Sequence, residues 1–184
     1  MKYIEVERKF QLTDPEALKS KLAELGAKPS PQTHQVDTYY NAPHRDFLAP
    51  VSISEWMRIR TEDRGTSINF KRWLPIDATI KTHCDEYETT VQDGEAVRLI
   101  LESLDFPPLV TVNKVREEWK LIDIEVAFDT VAGAGHFVEF EFKGDSENPE
   151  NAIDRLDEFI TSLDVELGER INRGYPHILL GREH

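Results

Sequence analysis

Glu5, Glu7 and Lys9 alternate along the stretch IEVERKF (4–10), charges at the same spacing recur in five further stretches, and a sixth carries the single Lys71. Successive side chains on a strand point to opposite faces, so residues two apart share a face. Arg58 and Arg60 then share a face of WMRIRTE, and Lys71 lies opposite Phe70 in TSINFKRW. Glu86 and Glu88 pair on DEYETTV, and Lys114, Arg116 and Glu118 share a face of 111–121. Asp123, Glu125 and Asp129 share a face of 122–131, as do Glu139, Glu141 and Lys143 in 135–144.

Taken strand by strand, an antiparallel sheet with one wet face accounts for this alternation. Taken together, the charges are sorted: carboxylates dominate the first and last strands, whereas the third, fourth and sixth carry Arg or Lys. Sorting of this kind suits a closed or nearly closed barrel whose interior holds a metal–polyphosphate complex. Carboxylates are hard oxygen donors for Mg²⁺ or Mn²⁺, and Arg and Lys hold phosphate oxygens. Uncompensated charges in an interior are costly, so such a tunnel has to be wide and hydrated. The apolar faces would point outward against helices.

The elements that carry these charges follow from local signals. Asp14-Pro15 starts a helix with Leu18, Leu22 and Leu25 at helical spacing and Gly26 as its stop. KPSPQTH (28–34) reads as a loop and QVDTYYN (35–41) as a strand. A turn near Arg64-Gly65 joins two hairpin strands. Residues 93–106 form a capped amphipathic helix, and Asn148-Pro149 opens another through Ile153, Leu156, Ile160 and Leu163. The tail 171–181 predicts a short terminal helix. The expected architecture is α+β: a single domain over 1–184, with a largely antiparallel eight-stranded β-barrel and helices packed outside. EVERKF near the start loosely echoes FVEFEFK later, a hint of two related halves.

A chain of 184 residues fits one domain and can bury a real core. Its net charge of −13 argues against a nucleic-acid partner, because phosphate backbones attract basic surfaces. A small anion bound by a local basic cluster remains compatible with it. No apolar run approaches the roughly 20 residues of a membrane helix. The absence of a signal-like N-terminal stretch and the lone Cys84 predict a reducing, cytoplasmic setting, with Cys84 a bystander.

EVERK (Glu5, Glu7, Lys9) resembles the E-x-E-x-K signature of the CYTH superfamily of triphosphate tunnel metalloenzymes. Further matches are DTYYNAP (37–43), RIR (58–60), Lys71, Glu86 and Glu88, KVR (114–116), FDTVAGAGHFVEFE (128–141) and RGYPHILL (173–180). The resemblance implies an acidic metal-binding set of Glu5, Glu7, Asp129, Glu139 and Glu141. It implies a phosphate-binding set of Lys9, Arg58, Arg60, Lys71, Lys114 and Arg116, with Glu86, Glu88 and Tyr175 as further tunnel residues. It does not fix Asp123 or Glu125, which are expected near the barrel rim.

VAGAGHFVEFE and the overall length are most similar to the class IV adenylyl cyclase branch. Those cyclases often carry His-Phe several residues before E-x-E-x-K, where this sequence has only Met1 to Ile4. Some features are shared with thiamine triphosphatases. The implied activity is a Mg²⁺- or Mn²⁺-dependent reaction, with one or two ions, on a small-molecule triphosphate. Conversion of ATP to cyclic AMP is one form, and hydrolysis of tripolyphosphate, thiamine triphosphate or a nucleoside triphosphate the other. A binding module without turnover is a third possibility, and either a monomer or a homodimer fits. No residue stands out as general base. His34, His44, His83, His177 and His184 have no ligand spacing, and His136 is expected as a packed or rim residue. Trp56, Trp73 and Trp119 are expected to pack, and Arg8 to reach past the apolar exterior to solvent.

Overall fold

Residues 4–11 carry both ends of one sheet. In the computed structural model of the protein, residues 4–146 and 148–182 are described; Met1 to Tyr3 and His184 lie outside them. The chain runs β1 (Ile4–Glu5), β2 (Glu7–Gln11), α1 (Pro15–Glu24), β3 (Lys28–Pro29), β4 (Thr33–Tyr40), β5 (Glu55–Glu62), β6 (Gly65–Leu74) and β7 (His83–Val91). It continues as α2 (Gly94–Ser103), β8 (Pro108–Lys120), β9 (Ile124–Val131), β10 (Gly135–Phe142), α3 (Pro149–Ser162), β11 (Arg170–Ile171) and α4 (Tyr175–Leu179). The sheet order is β1-β7-β6-β5-β4-β8-β9-β10-β2-β11, with β3 added on β8. Every pairing is antiparallel. Because β1 and β2 are separated only by Val6, the first and last long strands of the order meet and the sheet curls on itself.

The expected barrel is therefore present, with local differences. The first strand is split: Ile4 and Glu5 pair with β7, whereas Glu7 to Gln11 pair with β10. Val6 between them is buried in the core outside the barrel. The stretch read as a loop, 28–34, contributes two residues to β3 and starts β4 at Thr33. The two echoing segments are direct neighbours, with Lys9 opposite Glu139.

Period-two alternation turns the apolar faces outward. Val126, Val138 and Phe140 from β9 and β10 pack with Leu18 and Leu22 of α1 and with Leu156 and Phe159 of α3. Burying one such side chain fully contributes about 1.5–3 kcal/mol. Side-chain caps start the helices: Asp14 accepts from the Glu16 and Ala17 amides, Asp93 from Ala96 and Asn148 from Asn151. At one end of the barrel Tyr39, Trp56, Val112, Val131 and Phe137 form a second cluster around Tyr175 of α4. That helix closes the end.

Candidate functional site

Moving along each strand away from α4, the interior changes from apolar to charged. Val112 is followed on the same face of β8 by Lys114, Arg116 and Glu118, Trp56 on β5 by Arg58 and Arg60, and Phe137 on β10 by Glu139, Glu141 and Lys143. The inner cavity measures about 220 Å³. All six expected phosphate-binding residues line it: Lys9, Arg58, Arg60, Lys71, Lys114 and Arg116. So do Glu5, Glu7, Glu86, Glu88, Glu139 and Glu141. Asp129 is the exception. It is 2% exposed and lies on the interior face, opposite Arg116 and Phe137 and covered by lining side chains, accepting hydrogen bonds from Lys114 (3.2 Å), Arg116 (2.7 Å at Oδ1) and the Tyr175 hydroxyl (2.7 Å).

The cations are held by carboxylates from neighbouring strands. Asp37, fully buried on β4, accepts from Arg60 Nε at 2.7 Å and Nη2 at 2.8 Å, and from Arg58 at 3.2 Å. Burial alone would raise the Asp37 pKa; Arg58 and then Arg60 outweigh it and hold the carboxyl well below the usual range. Sequence patterning missed Asp37 because it is the one charge on its strand. Its parity with Gln35 and Tyr39, also buried and on the same face, is the signal that could have found it.

Glu139 bridges Lys9 (3.0 Å) and Arg116. Lys9 and Lys114 both lie over the Tyr175 ring, 4.2 and 5.0 Å from its centroid. Burial, reinforced by Arg116, pulls the Lys114 ammonium down to about 8 despite Asp129 and Glu139. The Nε of Arg58 is buried and has no hydrogen-bond partner. An unpaired buried donor costs about 1–3 kcal/mol, and an anion oxygen in the cavity would satisfy it.

The acidic residues fall into two groups. Asp129 and Glu139 are occupied by cations. Glu5, Glu7 and Glu141 form a second cluster, with Glu7 opposite Glu141 in the register and Glu141 paired with Lys143 at 2.5 Å toward the rim. Glu5 pairs with Lys71 at 2.5 Å, and Glu86 shares that ammonium at 3.4 Å. Burial pushes the Glu5 carboxyl up, with Glu141 and Glu7 adding to it and Lys71 only partly offsetting. Burial likewise raises Glu141. Glu7 makes no side-chain hydrogen bond or ion pair among the described residues. No group of three or more His, Cys, Asp or Glu among the described residues forms a ready-made metal cage. The donors nevertheless fit a hard divalent cation in kind, being carboxylates crowded together with a deficit of positive charge.

Of the remaining candidates, Glu88 is exposed and accepts from Ser67 at 2.8 Å. Glu125 lines the cavity, as expected for the rim, but Asp123 pairs with Arg155 of α3 outside the barrel. Arg8 does not reach solvent. It is 5% exposed and forks onto Asp157 of α3 at 2.8 and 3.1 Å, an interaction 149 residues apart in sequence. His136 is exposed and contacts Thr130, matching a rim residue. Cys84 is buried beside Glu5, and burial raises its thiol.

An antiparallel barrel with helices outside and a cation-lined, carboxylate-rimmed interior defines a triphosphate tunnel fold. The chain belongs to the CYTH family, whose domain model matches residues 3–175. It is 32% identical, over 94% of this chain and 96% of the relative, to a Methanocaldococcus jannaschii protein named "Putative adenylate cyclase MJ0240". Among solved structures it is similar to the PH1012 protein of Pyrococcus horikoshii, with TM-score 0.78, 25% identity and coverage of 95% and 98% of the two chains. It shares its fold with a Hippeastrum protein named "Putative adenylyl cyclase HpAC1", described as having a dominant triphosphatase activity. There the TM-score is 0.65 at 16% identity, over 98% and 96% of the chains. No described helix is long and apolar enough to cross a membrane.

Proposed function

We propose that the protein is a divalent-metal-dependent enzyme that breaks a phosphoanhydride bond of a small-molecule triphosphate held in the tunnel. The observation that carries this reading is the convergence of six cations from β2, β5, β6 and β8 on one cavity, where the buried Arg58 Nε lacks an acceptor. Lys9, Arg58, Arg60, Lys71, Lys114 and Arg116 bind and orient the phosphate chain, Arg through paired hydrogen bonds and Lys as point charges. Asp37 and Asp129 hold the guanidinium groups in place from behind. Glu5, Glu7 and Glu141 would hold Mg²⁺ or Mn²⁺, with Glu139 beside them on the same cavity wall. The metal, when bound, supplies charge neutralisation and activation of the attacking oxygen. The fixed cations stabilise charge that develops on the phosphoryl oxygens.

Within this class, cyclisation of ATP to cyclic AMP and pyrophosphate is the finer reading, supported by the name of the 32%-identical relative. Hydrolysis to orthophosphate uses the same apparatus. Incubating the purified protein with Mg²⁺ or Mn²⁺ and ATP, thiamine triphosphate or tripolyphosphate tests both. Cyclic AMP supports the first product, orthophosphate the second, and binding without turnover a non-catalytic module. Failure to bind any of the three would overturn the proposal.

A further inference from the structure

The split of the first strand leaves a seam in the barrel wall. The β1–β7 pairing sets Ile4 opposite Asp85 and stops with Glu5 opposite Cys84. Continued in the same register, it would set Glu7 opposite Thr82. Instead the chain changes neighbours at Val6, whose carbonyl accepts from the Phe142 amide of β10 at 3.0 Å. In an antiparallel strand the peptide groups of successive residues face opposite neighbours. Those of Val6, Arg8 and Phe10 therefore face β10, and those of Glu7, Lys9 and Gln11 face away from it. Lys9 and Gln11 find partners on that side, Lys9 pairing with Ile171 of β11 and the Gln11 amide donating to Glu169 O at 2.8 Å. Glu7 lies past the end of β11 and faces the seam. A cavity of about 490 Å³, lined by Glu7, Arg8 and Lys81 among others, borders it there, so packing does little to brace the strand at this residue.

Arg8 spans the seam. Its Nη1 donates to Glu7 O at 3.0 Å and to Thr82 O at 3.3 Å, so one guanidinium joins two carbonyls that the ladder leaves apart. Its Nε and Nη2 fork onto Asp157 of α3 at 2.8 and 3.1 Å. We propose that Arg8 is a positioning residue for the metal-binding edge of the tunnel: it stands in for the missing β2–β7 ladder and so fixes the backbone from which Glu7 projects into the cavity. This rests on the reading of Glu7 as a metal ligand given above.

Both ends of this staple are anchored. On one side Leu156 and Phe159 pack α3 into the core outside the barrel, which sets the place of Asp157 between them. On the other, the Thr82 amide donates to Leu74 O at 2.9 Å. Next to it the Lys81 ammonium donates to Ser54 Oγ at 2.8 Å and to the carbonyls of Pro75 and Ile76 at 3.0 and 2.5 Å. Glu7 has no side-chain hydrogen bond or ion pair of its own among the described residues, so its carboxylate is placed by the main chain. A planar guanidinium can fork onto a carboxylate and bridge two carbonyls at once, which an ammonium on a flexible stem cannot. Groups that orient a metal ligand without touching the metal change its affinity by about 10–100-fold when removed.

Calorimetric titration of Mn²⁺ into the wild type, Arg8→Met, Arg8→Lys and Arg155→Met provides the test. Arg155 makes a similar fork from α3 onto Asp123, at 2.8 and 3.0 Å, away from the seam, and controls for the anchoring of α3 alone. Arg8→Met is expected to weaken Mn²⁺ binding by about tenfold or more. Arg155→Met should stay within about twofold of the wild type. Arg8→Lys keeps the charge but not the fork and bridge together, and its affinity should fall between those of the wild type and Arg8→Met. Wild-type affinity in folded Arg8→Met, or in Arg8→Lys where Arg8→Met does not fold, overturns the proposal and leaves the tunnel reading standing. Equal weakening in Arg8→Met and Arg155→Met overturns it too, because the effect would then come from α3 and not from the seam. No Mn²⁺ binding by the wild type overturns the metal reading and this proposal with it.

Discussion

Asp37 and Arg60 meet in a fork, Oδ1 to Nε at 2.7 Å and Oδ2 to Nη2 at 2.8 Å, with Arg58 on the same carboxylate at 3.2 Å. One buried anion thus aims two guanidinium groups into the tunnel. Asp37→Asn is expected to destabilise the free protein by about 3 kcal/mol, because two largely buried cations lose their counter-charge. A bound polyphosphate would restore that charge. The rise in melting temperature on adding tripolyphosphate should therefore be larger for Asp37→Asn than for the wild type. An equal or smaller rise would show that the anion does not contact Arg58 and Arg60.

Glu7 and Glu139 line the same cavity in different states of engagement. Glu139 joins Lys9 and Arg116, whereas Glu7 has no side-chain partner among the described residues. Glu7→Gln is expected to change stability by less than about 0.5 kcal/mol and to weaken Mn²⁺ binding, measured by calorimetry, by about tenfold or more. Glu139→Gln should abolish turnover and also cost about 1–3 kcal/mol, since Lys9 and Arg116 lose a charged acceptor. Unchanged activity in Glu139→Gln would remove it from the site.

The site was legible where the signal was local and repeated. Period-two spacing sorts Lys114 and Arg116 from Val115, and Arg58 and Arg60 from Ile59, whatever the tertiary partners are. Asp37 escaped because one charge between Val36 and Thr38 creates no pattern of its own. Arg8 escaped for another reason: its parity with Val6 and Phe10 correctly turned it outward, but only the position of α3 decides that Asp157 meets it there. The split at Val6 carries no Gly or Pro to mark it.

The buried Lys114 provides a pH test of the cation layer. Its folded-state value of about 8 is lowered by burial and by Arg116. The charged form binds the anion, so affinity should begin to fall as pH rises above about 8, by up to tenfold per unit while the single proton is linked. Lys114→Met should bind tripolyphosphate more weakly at pH 7 and lose that component of the pH dependence. Parallel pH profiles for the two proteins would place the decline elsewhere than Lys114.

His177 lies at the closed end, 5% exposed, with its ring 4.7 Å from Trp56 and its Nδ1 accepting from the Gly174 amide at 3.2 Å. Burial first, then Lys9, Arg173 and Lys81, depress its pKa from 6.5 to about 4. The unfolded chain therefore binds more protons than the folded one between those values. Stability from keeping this imidazole neutral is present above about 6.5 and is lost as pH falls toward 4, amounting to about 3 kcal/mol across the window. Denaturant unfolding at pH 7.5 and pH 4.5 should show this loss in the wild type and a smaller one in His177→Gln, whose side chain can accept the same backbone hydrogen bond without titrating. An equal loss in both proteins would mean that carboxylates alone govern the acid limb, and that protonation of His177 does not loosen α4 from the tunnel end.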